Sequence, residues 1–218
     1  MHIPDGFLDP KVWVTTTAVS AAALTKAVAE VRKGLEEHRL MLLSILGAFI
    51  FAAQMVNFPV SKGTSGHLLG AALATLMIGP LYSMLILSVV LIVQLLFFYD
   101  GGLTSLGANI LNMAIIATWV AYLTFRLVAG DAQDRARKTA AVFLSSWLSV
   151  VAAALACSIE LGLSGKIPFK AVLPAMLGWH ALIGIGEGAI TIIVSAILSW
   201  VLTPQDAGET AEVGGEGA

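Results

Sequence analysis

Long apolar runs separated by short polar stretches dominate the chain from residue 12 to residue 202. A helix needs about 20 mostly apolar residues to cross ~30 Å of hydrocarbon. Runs close to that length recur, so the pattern predicts about seven transmembrane helices. These predicted helices cover residues 12–31, 40–56, 68–77, 81–98, 106–128, 140–163 and 179–202.

Turn residues divide these runs and mark the weaker assignments. Gly79-Pro80 predicts a tight turn between the third and fourth runs. The third run is the shortest, which leaves a tilted or partly re-entrant helix open. Pro168 and Pro174 bracket what reads as a separate short segment. Residues 203–218 are rich in Gly, Glu and Ala without periodicity, which predicts a disordered tail after a single transmembrane domain of residues 1–202.

Composition agrees with an all-α, polytopic membrane protein folded as a compact helix bundle. Hydrophobic residues make up 58% of the chain and charged residues 12%, with a mean hydropathy of +0.89. Ordinary soluble domains have about 45–50% apolar and about 25% charged residues. The net charge of −2 gives no nucleic-acid signature. The start has no basic n-region, so we expect no cleaved signal peptide and a retained Met1.

The distribution of lysine and arginine predicts the orientation. With the amino terminus outside, the inner loops carry seven cationic residues and the outer loops four. The inner ones are Arg32, Lys33, Arg39, Arg126, Arg135, Arg137 and Lys138, and the outer ones are Lys11, Lys62, Lys166 and Lys170. We therefore expect Met1, the loop before His67 and the Asp100-Gly101-Gly102 loop on one outer face.

Candidate chemistry begins at the first two residues. A histidine in second position offers one ion the free amine of Met1, the amide of His2 and its ring Nδ1. These three donors form two fused chelate rings and are forced close to a plane, and His67 could supply a fourth nitrogen. A planar set of four nitrogens favours Ni(II) or Cu(II) over tetrahedral Zn(II). The arrangement requires an unblocked amine, so a residue placed before Met1 would destroy it.

Three separated motifs resemble one family. They are Met1-His2-Ile3-Pro4-Asp5-Gly6-Phe7-Leu8, the loop Gly63-Thr64-Ser65-Gly66-His67, and Asp100-Gly101-Gly102-Leu103-Thr104 followed by Gly107-Ala108-Asn109. In this order they are similar to the CbiM/NikM family, the nickel/cobalt substrate-binding components of energy-coupling-factor (ECF) importers.

The resemblance implies a multi-pass subunit of the prokaryotic plasma membrane that captures Ni(II) or Co(II) outside the cell. Residues 1–9 would form the metal-binding segment of a substrate-binding domain. It implies as partners a transmembrane coupling subunit and two ATPase subunits, and it leaves a further small membrane subunit open. Small residues on the first helix, Ala18 with Ala22 and Ala23 with Ala27, would pack inside the bundle or dock the coupling subunit.

Metal-bound histidines usually donate their second ring nitrogen to an acceptor. Candidates for such supporting roles are Asp5, Ser65, Asp100 and Asn109, with Asn112 as a further one. Asp5 could equally serve a simple turn, and Asp100 a loop that ends a helix.

Three polar residues stand inside apolar runs, where ionisable groups are expensive. His180 and Glu187 are two helical turns apart, and Glu160 lies in the preceding run. We expect structural hydrogen bonds or supporting roles from them, and we expect Glu187→Gln to spare metal binding largely.

Other functions lack their motifs. There is no complete P-loop, no HExxH and no CxxC, so we expect neither ATP hydrolysis nor any other enzymatic activity, and no cofactor beyond the transported ion. The alternative is a self-sufficient, proton-coupled metal carrier that uses Glu160 and Glu187 as proton relays. Planar nitrogen ligation favours nickel over cobalt as cargo but leaves the choice open.

Overall fold

The computed structural model describes residues 1–34, 37–60 and 64–202 of the chain. It confirms an all-α, polytopic bundle, to which one small β-ribbon is added. The helices are α1 (Pro10–Val31), α2 (Glu37–Met55), α3 (Ala71–Ile78), α4 (Pro80–Phe98), α5 (Leu106–Ile110), α6 (Ala117–Ala129), α7 (Arg135–Leu163) and α8 (Phe169–Leu202). A π-helical segment, Leu111–Ile116, joins α5 to α6, and the strands are β1 (Phe58–Val60) and β2 (Thr64–Gly66).

Five helical stretches of the described ranges are long and apolar enough to cross a bilayer. They are Pro10–Val31, Pro80–Phe98, Leu106–Ala129, Arg135–Leu163 and Phe169–Leu198. The apolar part of α2, Leu40–Met55, is somewhat shorter. These stretches account for six of the seven predicted runs.

The third predicted run is broken. Its helix, α3, has only eight residues, and at 1.5 Å per residue it is about 12 Å long, too short to cross a bilayer alone. Residues 67–70 precede it without regular secondary structure and are largely buried. A continuous helix over residues 68–77 is therefore wrong, because the first part of this pass is non-helical backbone enclosed by the bundle.

The turn between α3 and α4 lies at the predicted place. Gly79 has a φ of 82°, a conformation that favours glycine, and Pro80 begins α4 at a position where its missing N–H costs nothing. By contrast, the separate segment between Pro168 and Pro174 does not exist. Helix α8 begins at Phe169 and includes Pro174 within its second turn.

Two predictions fall on residues outside the described ranges. The tail of residues 203–218 is one, and Ser61, Lys62 and Gly63 of the loop before His67 are the other.

One end of the bundle collects the amino-terminal segment, the β-ribbon and the loop between α4 and α5. Asp9 ends the segment and caps α1, because its carboxylate accepts the backbone N–H of Lys11 at 2.9 Å. Strand β2 pairs antiparallel with β1, so Ser65 lies opposite Pro59. The segments that carry the three motifs meet at this end, because Met1 hydrogen-bonds to Ser65 and Ile3 hydrogen-bonds to Gly102.

Candidate metal centre

The amino-terminal segment is buried in the protein. Met1 and Ile3 are 0% exposed and His2 is 3% exposed. Met1, Ile3 and Leu8 belong to the main hydrophobic core. The apolar side chains thus anchor the segment and carry the terminal amine and His2 into the interior.

The loop after α4 holds this segment through Asp5. The Asp5 carboxylate accepts the backbone N–H groups of Leu103 (2.9 Å) and Thr104 (2.8 Å), and also the Thr104 hydroxyl. These bonds, the hydroxyl first, lower the pKa of Asp5. In addition, Gly102 donates its N–H to the carbonyl of Ile3 at 3.0 Å.

Close approach explains the glycine at position 102. A Cβ on Gly102 would lie 2.3 Å from the backbone nitrogen of Asp5 and 2.7 Å from the carbonyl carbon of Pro4. Backbone atoms cannot move aside as a flexible side chain can. The contact between this loop and the amino-terminal segment therefore requires a residue without a side chain.

Asn109, on α5, holds the segment from another side. Its Oδ1 accepts the N–H of Ile3 at 2.9 Å, and its Nδ2 donates to the carbonyl of Ile3 at 3.2 Å. Both backbone groups of the residue after His2 are thereby satisfied by one buried amide.

The rings of His2 and His67 face each other at the centre of this arrangement. Their centroids are 4.7 Å apart, with an interplanar angle of 30°. His2 Nε2 lies 3.1 Å from Gln94 Oε1, and His67 Nδ1 lies 2.8 Å from the carbonyl of Leu68. A carbonyl oxygen can only accept a hydrogen bond, so His67 Nδ1 is the donor in its bond to Leu68. By the same argument, His2 Nε2 is the donor in its bond to Gln94 Oε1.

These tautomers leave one free nitrogen on each ring. Among the described residues, His2 Nδ1 and His67 Nε2 are buried without a hydrogen-bond partner. Asp100 Oδ1 lies 3.3 Å from His2 Nδ1. A cation bound at this nitrogen would also be attracted to the Asp100 carboxylate.

Ser65 contacts the two remaining donors. The Met1 amine donates to the carbonyl of Ser65 and to its hydroxyl oxygen, the latter at 3.0 Å. The backbone N–H of His2 donates to the same hydroxyl at 3.2 Å. The amine, the amide and two ring nitrogens thus converge on one buried place.

Burial keeps the Met1 amine and the two imidazole rings uncharged at neutral pH. It lowers the pKa of the Met1 amine from 8.0 to about 5. Burial, followed by the neighbouring amine, lowers the pKa of His2 to about 3 and that of His67 well below its usual value. Burial has the opposite effect on Asp100 and raises the pKa of its carboxyl.

The donor set has a clear chemical preference. Among the described residues, no group of three or more His, Cys, Asp or Glu side chains is spaced to hold a metal. A metal bound by the four predicted nitrogens would use two backbone nitrogens as well, and the amide nitrogen would have to lose its proton to bind. Such a set of nitrogens suits Ni(II) or Cu(II) and excludes the oxygen ligation that Mg²⁺ and Ca²⁺ require.

The structure brings together the three predicted ligand residues, although ligation by Met1, His2 and His67 stays a prediction. Of the predicted supporting residues, Ser65 contacts the amine and the amide, and Asp100 lies beside His2. Asp5 and Asn109 hold the backbone of the segment and do not contact the rings. The acceptors at the second ring nitrogens are Gln94 and the carbonyl of Leu68.

Gln94 is a residue of this centre that was not predicted from the sequence. It is the one amide side chain in the apolar run of residues 81–98, and it is 0% exposed. A lone polar residue within a transmembrane run is the signal that pointed to Glu160 and Glu187. The same reasoning extended to uncharged amides would have included it.

The intramembrane carboxylates have separate partners. Glu160 accepts from Asn112 Nδ2 at 2.6 Å, and Glu187 accepts from the backbone of Leu69 and Gly70. His180 hydrogen-bonds to the carbonyl of Met176 on its own helix.

Comparison with known proteins gives a consistent result. Residues 2–202 match the family model CbiM, described as cobalt uptake substrate-specific transmembrane region. A putative fused nickel transport protein of Archaeoglobus fulgidus is 41% identical over 193 residues, which cover 88% of this chain and 63% of that protein. The chain therefore spans less than two thirds of that relative.

Two further proteins match this chain over a larger share of their own length. A cobalt transport protein of Acetoanaerobium sticklandii is 30% identical over 91% of this chain and 84% of its own length. The crystal structure of a truncated transition metal transporter superposes with a TM-score of 0.85 at 33% identity, and the match covers 92% of this chain and 99% of that one.

Proposed function

Because the chain belongs to the CbiM family of cobalt uptake substrate-specific transmembrane regions, we propose that it is the metal-capturing membrane subunit of an importer for Ni(II) or Co(II). The names of its relatives support this assignment, since they include nickel and cobalt transport proteins. The observation that carries it is the burial of Met1 together with His2 and His67. In the described part of the chain, each of these two histidines has one buried ring nitrogen without a hydrogen-bond partner.

Capture needs no chemical step beyond deprotonation. The ion would replace the proton of the His2 amide, and that proton would leave to water. The amine and the two ring nitrogens are already neutral near pH 7. Ser65 can adapt to this change. Its hydroxyl accepts from the amide before binding and can rotate to donate to the deprotonated nitrogen afterwards.

Release requires the amino-terminal segment to separate from His67. We propose that the energy comes from partner subunits, namely a transmembrane coupling subunit and two ATPases, as in ECF importers. The amino terminus and the site would then lie at the outer face of a prokaryotic plasma membrane. The hydrogen bonds of the described residues do not favour the alternative of a self-sufficient proton-coupled carrier. Glu160 accepts a bond from the Asn112 side chain, and Glu187 accepts bonds from the backbone of Leu69 and Gly70.

A further small membrane subunit also belongs to the proposal. The relatives called fused nickel transport proteins are longer than the matched region; this chain spans 63% of the Archaeoglobus protein and 61% of the Rhodobacter capsulatus one. We propose such a subunit as a partner of this chain on the strength of the family resemblance alone.

The coupling subunit would dock on α1. Ala18 and Ala22 are exposed on this helix, whereas Ala27 is buried against the bundle. Small residues allow close helix contacts in lipid. Ala22→Trp should therefore weaken co-purification with the coupling subunit and leave Ni(II) binding unchanged; intact assembly would place the docking face elsewhere.

The decisive experiment for the site concerns the amine. We expect the purified chain with a free amino terminus to bind Ni(II) tightly, and the chain with one alanine before Met1 to lose tight binding. The matched control carries the same alanine at the carboxyl end. Equal affinity of the two extended chains would rule out ligation by the Met1 amine.

The imidazoles are tested separately. His2→Ala and His67→Ala should each abolish tight Ni(II) binding, because each removes one of four nitrogens. Isothermal titration of both variants measures this loss. Tight binding by both would refute the site.

A further inference from the structure

The break in the third pass creates a demand for hydrogen bonds. Residues 67–70 are non-helical, and His67 and Leu69 are 1% and 0% exposed. Backbone N–H and C=O groups at such a place cannot bond to water or to their own helix. Other parts of the bundle must therefore supply the partners.

Two buried side chains from different helices supply them. Glu187, on α8 and 2% exposed, accepts the N–H groups of Leu69 and Gly70, the latter at 2.9 Å. Gln54, on α2 and 0% exposed, donates from Nε2 to the carbonyl of Leu69 at 2.7 Å. The backbone directly after His67 is thus attached to α8 on one side and to α2 on the other.

One of these bonds leads directly to the His67 ring. The N–H that Glu187 accepts from Leu69 and the C=O that accepts from His67 Nδ1 belong to the same peptide group, the one joining Leu68 to Leu69. A peptide group is planar and its N–H and C=O point in opposite directions. A carboxylate that fixes the N–H therefore also fixes the C=O and, through it, the ring.

We propose that Glu187 is a positioning residue for metal capture, which holds the Leu68–Leu69 peptide so that His67 presents Nε2 to the ion. The inference rests on the proposed function, because it assumes that His67 is a ligand. It assigns to Glu187 the role that a carboxylate plays when it bonds directly to a metal-bound histidine, with one peptide group placed between them.

This geometry reverses the sequence-based expectation for Glu187→Gln. A glutamine offers one acceptor oxygen to two N–H groups, and its own NH₂ would face one of them. The Leu68–Leu69 peptide would lose its fixed direction, and Nε2 of His67 would lose its place in the donor plane.

The test combines affinity with the absorption spectrum of the bound ion in the purified full chain. For Glu187→Gln we expect about 10–100-fold weaker Ni(II) binding, as is typical for residues behind metal ligands. We also expect its Ni(II) band to shift to longer wavelength, towards that of His67→Ala, because a weaker donor replaces the imidazole. A role confined to folding would lower the melting temperature without moving the band of the bound metal.

Glu160→Gln is the matched control. Glu160 is also a carboxylate in a transmembrane helix, 6% exposed, but it accepts its hydrogen bond from Asn112, which lies outside residues 67–70. We expect wild-type affinity and a wild-type band from it. An equal shift in both glutamine variants would overturn the inference, and so would a wild-type band in Glu187→Gln.

A second variant covers the case in which Glu187→Gln does not fold. Glu187→Asp keeps the charge but is one methylene shorter, so we expect an intermediate affinity and a partial shift of the band. Wild-type values there would overturn the inference. If instead the wild-type chain gives no planar Ni(II) band, the proposed site itself fails, which separates the two failures.

Discussion

The imidazole of His2 is oriented by Gln94, whose Oε1 lies 3.1 Å from Nε2. This bond commits the ring proton to Nε2 and leaves the lone pair on Nδ1. Only Nδ1 can close a chelate ring with the amide nitrogen of the same residue. Gln94, on α4, thus selects the tautomer that a metal at the amino terminus requires.

Gln94→Leu should consequently weaken metal binding. Leucine fills much of the same space but cannot accept the proton, so both tautomers of His2 become accessible and the ring loses its fixed direction. We expect about 10–100-fold lower Ni(II) affinity by isothermal titration. Gln94→Glu, which keeps an acceptor oxygen, is the control and should bind far more tightly than Gln94→Leu; equal affinities in the two variants would contradict the role of the hydrogen bond.

Ser65→Ala tests the contact between the β-ribbon and the backbone donors. The variant removes the hydroxyl that bonds to the Met1 amine and the His2 amide, and a deprotonated amide then has no hydroxyl to stabilise it. We expect at least about tenfold weaker binding, with the largest part of the change in the dissociation rate. Ser88→Ala is the control, since the Ser88 hydroxyl bonds only to the carbonyl of Met84 on its own helix. Similar losses in both serine variants would show that Ser65 acts through general stability.

Gly102→Ala tests the loop that holds the amino-terminal segment. An added Cβ would meet the backbone of Pro4 and Asp5, so the loop must move away and the bonds from Leu103 and Thr104 to Asp5 must lengthen. We expect a large loss of Ni(II) affinity and faster hydrogen exchange in residues 2–6. Gly178→Ala provides the comparison, because its Cβ would meet nothing within 4 Å. It should bind metal like the wild type.

Much of this architecture could be predicted from the sequence because membrane passes are set by length and hydropathy, which are local properties. The proximity of Met1, His2 and His67 could also be expected from the sequence, whereas their ligation of a metal stays a prediction. Three of the four predicted nitrogens belong to Met1 and His2. Those three donors are fixed by covalent geometry.

Long-range contacts could not be predicted in this way. In sequence, residues 67–70 resemble the start of an ordinary apolar helix. Their non-helical geometry depends on Glu187, 117 residues from its partner Gly70, and on Gln54, 15 residues from its partner Leu69. Pro174 suggested a boundary, yet near the start of α8 a proline removes only one helical bond. Gln94 acquires its role only when α4 packs beside the amino-terminal segment.

A metal preference is expected if the four predicted nitrogens are the ligands. A deprotonated amide and an amine would create a strong field in one plane, which stabilises Cu(II) most, Ni(II) next and Co(II) least among these ions. We therefore expect competition titrations on the purified chain to give that order of affinity, and we expect bound Ni(II) to be diamagnetic, as planar nickel is. In His67→Ala, where water can replace one nitrogen, the advantage of Ni(II) over Co(II) should shrink. Co(II) binding more tightly than Ni(II) to the wild-type chain, or paramagnetic bound nickel, would contradict a planar four-nitrogen site and favour a site with more donors.

Since Cu(II) would bind best in solution, the ion carried in the cell would depend on supply as well as on affinity. Transport assays with each metal in excess would separate these two contributions.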